Sequence, residues 1–338
     1  MSDIALAMVD LLQSPVTMKR TKGVMVLVAA LVALSLTASA GSAPVRALDW
    51  GSAEVIDPSI CAMRLSFDEP RLMKGYAVRV DLHDKSLAFT ANGRDKDWGR
   101  PMPDYTNEVI RTRRVTVRQF FDNARAPVSK GGRGLDMLLA FNSAPWKWID
   151  DYNPYADLLG LNISDGVVVA EGDRPEPMFV VWKNGQTDII DSLPPSRMGD
   201  VLLGHSGFEI VLKDGKILYT DDHSVHPRTA VGLSGDRRWF YVLVVEGRHK
   251  GMSIGADYVD LARIMLSLGA ADALNFDGGG SSALSYWDAA EKRQVVRFQQ
   301  EEPPRPCALN IGIYRRSAKD FGVKNRINTP SKWKGKRK

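Results

Sequence analysis

Residues 239–282, WFYVLVVEGRHKGMSIGADYVDLARIMLSLGAADALNFDGGGSS, carry the plainest structural pattern in the chain. Trp239–Val245 is an uninterrupted apolar run of strand length, and Ala273–Phe276 is a second, shorter one. Between them, 257–268 has the apolar period of a helix, and Asp257 is suited to cap its start. The apolar face of this helix carries Tyr258, Leu261, Met265 and Leu268. The order strand, helix, strand predicts a helix packed on a sheet, with ligands bound where the strands end.

Short strand-like runs fill the rest of the chain. They are Tyr76–Leu82, Leu87–Ala91, Leu135–Phe141, Val167–Ala170, Met178–Trp182, Phe208–Leu212 and Ile217–Tyr219. Asn184-Gly185 and Asp214-Gly215 lie between such runs and are typical of antiparallel hairpins. Thr116 is suited to cap a further helix, and 41–75 lacks strong periodicity and is expected to wrap around the core. These patterns predict an α+β fold with mixed, largely antiparallel β-sheets flanked by a few helices, in a single compact domain.

The N-terminal segment has the features of a secretory signal peptide. Three basic residues within 19–22 precede an apolar run at 23–40, and small residues continue to Ala47. This order predicts a signal over 1–47, with Met18 as a candidate natural start. The protein is then exported, either to the periplasm or outside the cell. The alternative is a retained membrane anchor, because about 18 apolar residues can just span a bilayer.

Charge is concentrated at the C-terminal end of this 338-residue chain. The chain is 44% hydrophobic and 25% charged, with a net charge of +5. Residues 315–338 alone contain ten Lys or Arg and one Asp, so the body before them is mildly acidic. We therefore predict a domain over 48–316 and a basic, disordered tail over 317–338. The tail either aids solubility or associates with an anionic envelope surface. Nothing in the body predicts nucleic-acid binding.

Neither the cysteines nor the histidines predict a metal or another cofactor. The chain has two cysteines, Cys61 and Cys307. An oxidising compartment permits a disulfide between them, and two free thiols are the alternative. Two cysteines cannot form a zinc cage alone. Asp and His residues between 221 and 226 are metal ligands in type, but their spacing matches no metal motif.

The glycine-rich run after the second strand is the first candidate site. It consists of Asp277, Gly278, Gly279, Gly280, Ser281 and Ser282. Three successive glycines disfavour regular structure and suit backbone that approaches a ligand closely. Successive N–H groups in such a turn can bind an anion, and Asp277 stands at the strand end. The alternative is a plain tight turn with a capping Asp.

Other polar residues also lie next to predicted strands. His226, Arg228 and Thr229 precede or begin one strand, and an arginine there suits a bidentate grip on phosphate. A surface ion pair of Arg228 is the alternative. The remaining candidates each follow a strand, and they are Asn142, Ser143, Glu246 and Arg248.

In their order and spacing, these segments resemble the phosphodiester glycosidase domain family. The resemblance covers 135–314 and is carried by AFNSAPW, YADLLGLNISDGVVV, HPRTAVGLSGDRRWFYVLVVEGR, LGAADALNFDGGGSSAL and RPCALNIGIY. It implies a mixed α+β fold with a site built from the HPRT and DGGGSS segments. Two departures concern the sugar pocket. Asn142 is followed by Ser-Ala-Pro-Trp rather than by glycines and aromatics, and Glu246 stands where an Asp is often found.

The implied reaction assigns roles to these residues. A phosphate leaving group is a weak base that needs charge neutralisation more than protonation. Asp277 is the predicted base or nucleophile, with Glu246 as second choice, and Arg228 and the glycine turn would neutralise the phosphate. His226 would orient Arg228 or assist proton transfer. The residues expected to hold substrate oxygens are Asn142, Thr229 and Arg248. In the rival assignment Asp277 only anchors the loop, and Glu246 or His226 is catalytic.

The predicted function is hydrolysis of a glycosyl phosphodiester on an envelope or extracellular glycan. One alternative is a non-catalytic binder of anionic envelope glycopolymers. The other is a phosphodiesterase that cuts the P–O bond instead of the C–O bond.

Overall fold

The computed structural model describes residues 46–150, 152–172, 175–220 and 224–317. Almost all of the predicted signal segment and basic tail therefore lies outside the described residues. Within the described ranges, no helix is both long enough and apolar enough to cross a membrane.

Most of the ordered elements are β-strands. In chain order they are β1 (Glu54–Asp57), β2 (Ile60–Phe67), β3 (Met73–Asp81), β4 (Leu87–Ala91), β5 (Pro101–Met102), β6 (Tyr105–Val109), β7 (Thr112–Arg113), β8 (Asp136–Asn142), β9 (Tyr155–Ala156), β10 (Asn162–Ser164), β11 (Val167–Ala170), β12 (Met178–Trp182), β13 (Thr187–Ile190), β14 (Val201–Ser206), β15 (Glu209–Lys213), β16 (Lys216–Ile217), β17 (Arg228–Leu233), β18 (Trp239–Val245), β19 (Asp272–Asn275), β20 (Ala283–Asp288), β21 (Arg293–Gln299) and β22 (Asn310–Arg315).

Two α-helices and four short 3₁₀ segments complete the part of the chain that the structure describes. The α-helices are α1 (Val117–Arg125) and α2 (Tyr258–Leu268), and the 3₁₀ turns are Trp50–Ser52, Val128–Lys130, Pro195–Asp200 and Gly279–Ser281. Both α-helices begin with the predicted cap. Thr116 and Asp257 each form a capping box, and α2 ends at Gly269 with a φ of 105°.

The strands form three main antiparallel sheets. The largest has the order β1-β2-β3-β18-β17-β19-β15-β16. A second has the order β21-β20-β8-β22-β4, and a third has the order β11-β10-β14-β12-β13. The predicted hairpins at Asn184-Gly185 and Asp214-Gly215 connect β12 to β13 and β15 to β16. The predicted largely antiparallel α+β fold is therefore confirmed.

The inner faces of these three sheets enclose one apolar core. Phe240 of the largest sheet lies at its centre, 5.3 Å from the ring of Phe89, 6.2 Å from Phe141 and 5.0 Å from Phe179. The opposite face of the largest sheet is covered by α2, and α1 covers the outer face of the second sheet. Burial of these alternating strand residues is the main source of stability for such a fold.

The prediction for residues 41–75 is wrong in its central part. Glu54–Asp57 and Ile60–Phe67 form an edge hairpin of the largest sheet, in which β2 pairs with β3 along its full length. Ile60 and Ala62 face the central core, and Leu65 on the opposite face packs in the apolar cluster under α2, so both faces of β2 carry apolar residues. That mixed pattern hides the period of two that a half-buried strand normally shows.

Candidate active site

Three neighbouring strands of the largest sheet, β17, β18 and β19, bring the predicted residues together at the same end of the strands. β17 lies between β18 and β19 and is antiparallel to both, so β18 and β19 run in the same direction. Helix α2 makes the crossover between them. The C-terminal ends of β18 and β19 therefore lie beside the start of β17. This places Glu246, Asp277 and Arg228 at the same end of the sheet. The predicted order of strand, helix and strand is therefore present, and binding of a ligand at this place stays a prediction.

Asn142, the last residue of β8, connects this end of the largest sheet to the second sheet through hydrogen bonds. Its Oδ1 accepts a hydrogen bond from Thr229 Oγ1 at 2.8 Å and one from the Ala283 N–H at 3.1 Å. Its Nδ2 donates to the Asp277 carbonyl at 2.7 Å, and the Asp277 N–H donates to the Ser143 carbonyl at 2.9 Å. Both Asn142 and Thr229 are 0% exposed. These bonds give the two residues a positioning role, and their direct contact with substrate stays a prediction.

Each glycine of the turn is required by its surroundings. A Cβ on Gly278 would lie 2.6 Å from the Pro227 carbonyl oxygen, and a Cβ on Gly280 would clash with the Glu301 carboxylate. Gly279 has a φ of +58°, a conformation that side chains disfavour. The chain therefore makes a very tight turn directly after Asp277.

The turn does not present the row of free N–H groups expected of an anion nest. The Gly279 N–H donates to the Pro227 carbonyl at 2.8 Å, and the Ser281 and Ser282 N–H groups close the 3₁₀ turn. The Ser281 and Ser282 hydroxyls are buried and have no hydrogen bond of good geometry within the described residues. Any anion must therefore be held mainly by side chains around the turn.

The Asp277 carboxylate has an altered acidity. Burial raises its pKa to about 6, although nearby donors and a cation oppose the shift. These are the Ser281 hydroxyl, the Arg305 guanidinium, the Gly278 N–H and the Trp146 indole. The Ser281 hydroxyl lies close to the carboxylate but forms no well-aligned hydrogen bond among the described residues. A carboxyl with a pKa near 6 can serve as an acid or a base close to neutral pH.

Arg305 is the cation beside Asp277, and the sequence did not indicate it. Its guanidinium forms a bidentate ion pair with Glu301, at 2.7 Å and 3.1 Å, and this pair packs against Gly280. Arg305 lies in the predicted RPCALNIGIY segment, but no local pattern there marks an arginine as functional. It meets Asp277 only through the tertiary fold.

Arg248 lies on the other side of the turn. Its Nη2 is 3.5 Å from Nδ1 of the exposed His226, and it would contact a Cβ on Gly279 at 3.2 Å. Arg248 also has a φ of 63°, which is unfavourable for a residue with a side chain. Such strained backbone is concentrated at functional sites. Arg248 and Arg305 thus flank the turn that carries Asp277.

Arg228 is placed differently from the prediction. Alternation along β17 directs Thr229 towards Asn142 and Arg228 to the opposite face of the sheet. The Arg228 Nε donates to the Ala256 carbonyl at 3.0 Å, its Nη2 donates to the Ser224 carbonyl, and its guanidinium lies 4.5 Å from the Tyr258 ring centre. These contacts fix the loop before α2. A grip of Arg228 on phosphate stays a prediction without support from this geometry.

Glu246 is bonded away from the turn. Its Oε1 lies 2.8 Å from His249 Nδ1. The next residue, Gly247, exchanges two hydrogen bonds with the Gln300 side chain, and the Gln300 N–H donates to the Ser282 carbonyl. Glu246 is therefore connected to the glycine turn through Gln300, and its catalytic role stays a prediction.

Comparison with known proteins gives the family. Residues 150–314 match the profile of the phosphodiester glycosidase family. The chain carries a phosphodiester glycosidase domain. The matched range contains Arg228, Glu246, Arg248, Asp277 and Arg305. It begins at 150 rather than at 135, so Asn142 lies before it.

Solved structures share the fold of this phosphodiester glycosidase domain. One is the catalytic domain of zebrafish N-acetylglucosamine-1-phosphodiester α-N-acetylglucosaminidase, auto-inhibited by its pro-peptide. It has a TM-score of 0.53 and 19% identity, over 80% of this chain and 87% of that one. A hypothetical protein from Synechocystis has a TM-score of 0.50 and 10% identity, over 76% of this chain and 62% of its own. At these identities the likeness concerns the fold alone. No curated protein matches the sequence.

Both cysteines of the chain are free thiols. Cys61 is half-buried in β2, and Cys307 is buried next to Ser281. Burial and the neighbouring Asp277 carboxylate raise the pKa of Cys307 to about 12, so it is not an activated nucleophile. Among the described residues, no group of three or more His, Cys, Asp or Glu side chains could hold a metal ion. Residues 221–223 of the predicted candidates lie outside the described residues.

Proposed function

We propose that this protein hydrolyses a glycosyl phosphodiester by breaking the bond between the anomeric carbon and the phosphate oxygen. The observation that carries the proposal is the Asp277 carboxylate. It has a pKa of about 6 and sits on a glycine turn flanked by two guanidinium groups, in a phosphodiester glycosidase domain. A carboxylate beside cationic groups is what cleavage of a sugar with an anionic leaving group requires.

The proposed chemistry is a displacement at the anomeric carbon. The C–O bond to phosphate breaks, its electron pair leaves with the phosphate monoester, and the oxygen of water becomes bonded to the sugar. Ionised Asp277 either removes a proton from that water or attacks the anomeric carbon first, to form a glycosyl ester that water then hydrolyses. The two routes give opposite stereochemistry at the anomeric carbon.

Arg305 and Arg248 would stabilise the departing phosphate. The phosphate monoester gains negative charge as the C–O bond breaks, and fixed guanidinium groups favour that charge without reorganisation. This assignment moves the predicted role of Arg228 to two arginines that flank the turn. His226, 3.5 Å from Arg248, would orient that guanidinium. Asn142 and Thr229 would hold the Asp277 backbone in place.

Hydrolysis of a model glycosyl phosphodiester in oxygen-18 water tests this proposal. Label in the released sugar, and none in the phosphate, is the expected result. Label in the phosphate would identify a phosphodiesterase that cuts the P–O bond. Binding of the substrate without turnover would identify a non-catalytic glycan binder. The stereochemistry of the first-formed sugar, followed by NMR, separates the two routes open to Asp277.

The location and the natural substrate follow the same proposal. The basic and apolar order at 19–47 supports export, and the basic end at 315–338 supports contact with an anionic envelope surface. We therefore propose an envelope or extracellular glycan as the source of the phosphodiester.

A further inference from the structure

Two tryptophans follow the strand that holds Asn142. Trp146 is 9% exposed, and Trp148 is 52% exposed. Their ring centres are 5.5 Å apart, and their planes are inclined by 39°. The two indoles thus form an aromatic pair that is buried at one end and open to solvent at the other. We call Trp146 and Trp148 the aromatic shelf.

Two arginines hold the aromatic shelf in place. The Arg114 guanidinium lies 4.3 Å from the Trp146 ring centre, and the Arg305 guanidinium lies 4.9 Å from the Trp148 ring centre. Arg114 is buried and donates to the backbone carbonyls of Asp150, Asn153 and Pro306. Arg305 is itself fixed by Glu301. Cation–π contacts of this kind order the rings before any ligand arrives.

The aromatic shelf is directly connected to the candidate catalytic carboxylate. Trp146 and Arg305 are both among the groups that lower the pKa of Asp277 against the effect of burial. Arg305 makes the link in space, because its guanidinium lies 4.9 Å from the Trp148 ring centre and also packs against Gly280 of the turn. The exposed indole of Trp148 and the Asp277 carboxylate thus have Arg305 as a common neighbour.

We propose that the aromatic shelf binds the pyranose ring whose anomeric carbon faces Asp277. This inference rests on the proposed function. The axial C–H bonds of a pyranose make one face of the ring apolar and slightly positive, and this face complements the negative face of an indole. Arg305, between Trp148 and Asp277, then meets the phosphate attached to that sugar. The chemical class is a sugar with one unhindered C–H face, held by stacking rather than by charge.

The kinetics of Trp148→Ala on a glycosyl methyl phosphodiester provide the test. We expect its KM to rise at least tenfold while kcat stays within about threefold, because the stacking holds the sugar in the ground and transition states alike. Trp148→Phe keeps an aromatic face and should retain KM within about threefold. Tyr152→Ala is the matched control, because Tyr152 is 95% exposed and lies in the same segment. It should behave as wild type.

Binding measurements separate failure of this inference from failure of the proposed function. We expect the neutral methyl glycoside of the same sugar to bind wild type, with saturation transfer from indole protons, and to bind Trp148→Ala at least tenfold more weakly. Inhibition by inorganic phosphate should be equal in both proteins. An unchanged KM and unchanged glycoside binding in Trp148→Ala would overturn the shelf while hydrolysis stands. Glycoside binding that depends on Trp148, without hydrolysis of any diester, would overturn the function while the shelf stands.

Discussion

At the scale of single residues, Asp277 combines a reactive position with an unfavourable environment. Burial raises the pKa of its carboxyl from 3.8 to about 6, so the ionised form is less stable in the folded protein than in the unfolded chain. Its contribution to stability is present below pH 3.8 and is lost as the pH rises through 6. The folded protein therefore holds at neutral pH a charge that its surroundings disfavour, which is typical of catalytic groups.

Asp277→Asn should abolish activity without lowering stability at neutral pH. An amide cannot act as base or nucleophile, so we expect the rate to fall at least about a thousandfold, roughly 4 kcal/mol. The uncharged amide also avoids the unfavourable ionisation, so the thermal midpoint at pH 7 should equal or exceed that of wild type. Turnover and thermal unfolding of both proteins provide the check. A lower midpoint with retained activity would identify Asp277 as a structural anchor, with Glu246 as the leading carboxylate.

The same carboxyl should set the acidic limb of the pH–rate profile. If ionised Asp277 is the base or nucleophile, kcat/KM should rise with pH through about 6 and then level off. Arg305 lowers the pKa of Asp277, so Arg305→Gln should move this limb to higher pH by about one unit, besides reducing the rate. A limb that stays in place in Arg305→Gln would remove Arg305 from the neighbourhood that controls Asp277.

Arg248, which is proposed to bind phosphate, and Arg228, which the sequence predicted for that role, should respond differently to replacement by lysine. Arg248→Lys keeps the charge but loses the planar fork, so we expect about a hundredfold loss of kcat/KM with an unchanged thermal midpoint. Arg228→Lys loses the bond to the Ala256 carbonyl and the contact with Tyr258, so its main effect should be a lower midpoint. Normal activity in Arg248→Lys, with a large loss in Arg228→Lys at equal stability, would return the phosphate role to Arg228.

At the scale of elements, the glycine turn depends on a close approach between backbone and side chains. Gly280→Ala would bring a Cβ into the Glu301 carboxylate and displace the Glu301–Arg305 pair. We expect a loss of activity of at least about tenfold, with partial recovery in the double variant Gly280→Ala, Glu301→Ala. Gly93→Ala is the control, because nothing lies within 4 Å of its added Cβ. Kinetic assays of the four proteins would show whether the pair matters, and equal rates in all of them would exclude it.

Elements with local signals were the ones that the sequence could predict. The caps Thr116 and Asp257 and the two hairpin dipeptides are recognised by their own few residues, and all lie where expected. The edge hairpin β1–β2 was missed, because β2 packs apolar residues on both faces and so lacks the alternation of a half-buried strand. For the site, the sequence indicated Asp277 and its turn. Arg305 and the aromatic shelf come from segments far apart in sequence and became evident only in the fold.

At the scale of the whole molecule, His205 links the second and third sheets through a buried polar contact. Its Nδ1 lies 2.8 Å from Ser143 Oγ after β8, and its Nε2 lies 3.2 Å from Ser164 Oγ in β10. Burial lowers the pKa of His205 to about 3, so the folded protein keeps the ring neutral. Ser143 also accepts the Asp277 N–H through its carbonyl, so the support of the site extends across the core.

His205 and Asp277 should give opposite slopes to stability as the pH falls. A histidine with a folded pKa of about 3 resists protonation that the unfolded chain accepts below 6.5, so its contribution to stability is lost as the pH falls from 6.5 towards 3. Asp277 has the opposite effect. Its carboxyl binds a proton more readily in the folded protein, so its contribution to stability increases as the pH falls from 6 to 3.8, by up to about 1.4 kcal/mol per pH unit. The two effects should nearly cancel between pH 6 and 4.

Relative to wild type, Asp277→Asn should therefore lose stability more steeply on acidification, and His205→Gln should lose it less steeply despite a lower midpoint at pH 7. Urea unfolding at pH 7, 6, 5 and 4 measures these slopes, and parallel curves for the three proteins would show that neither group titrates as its surroundings imply.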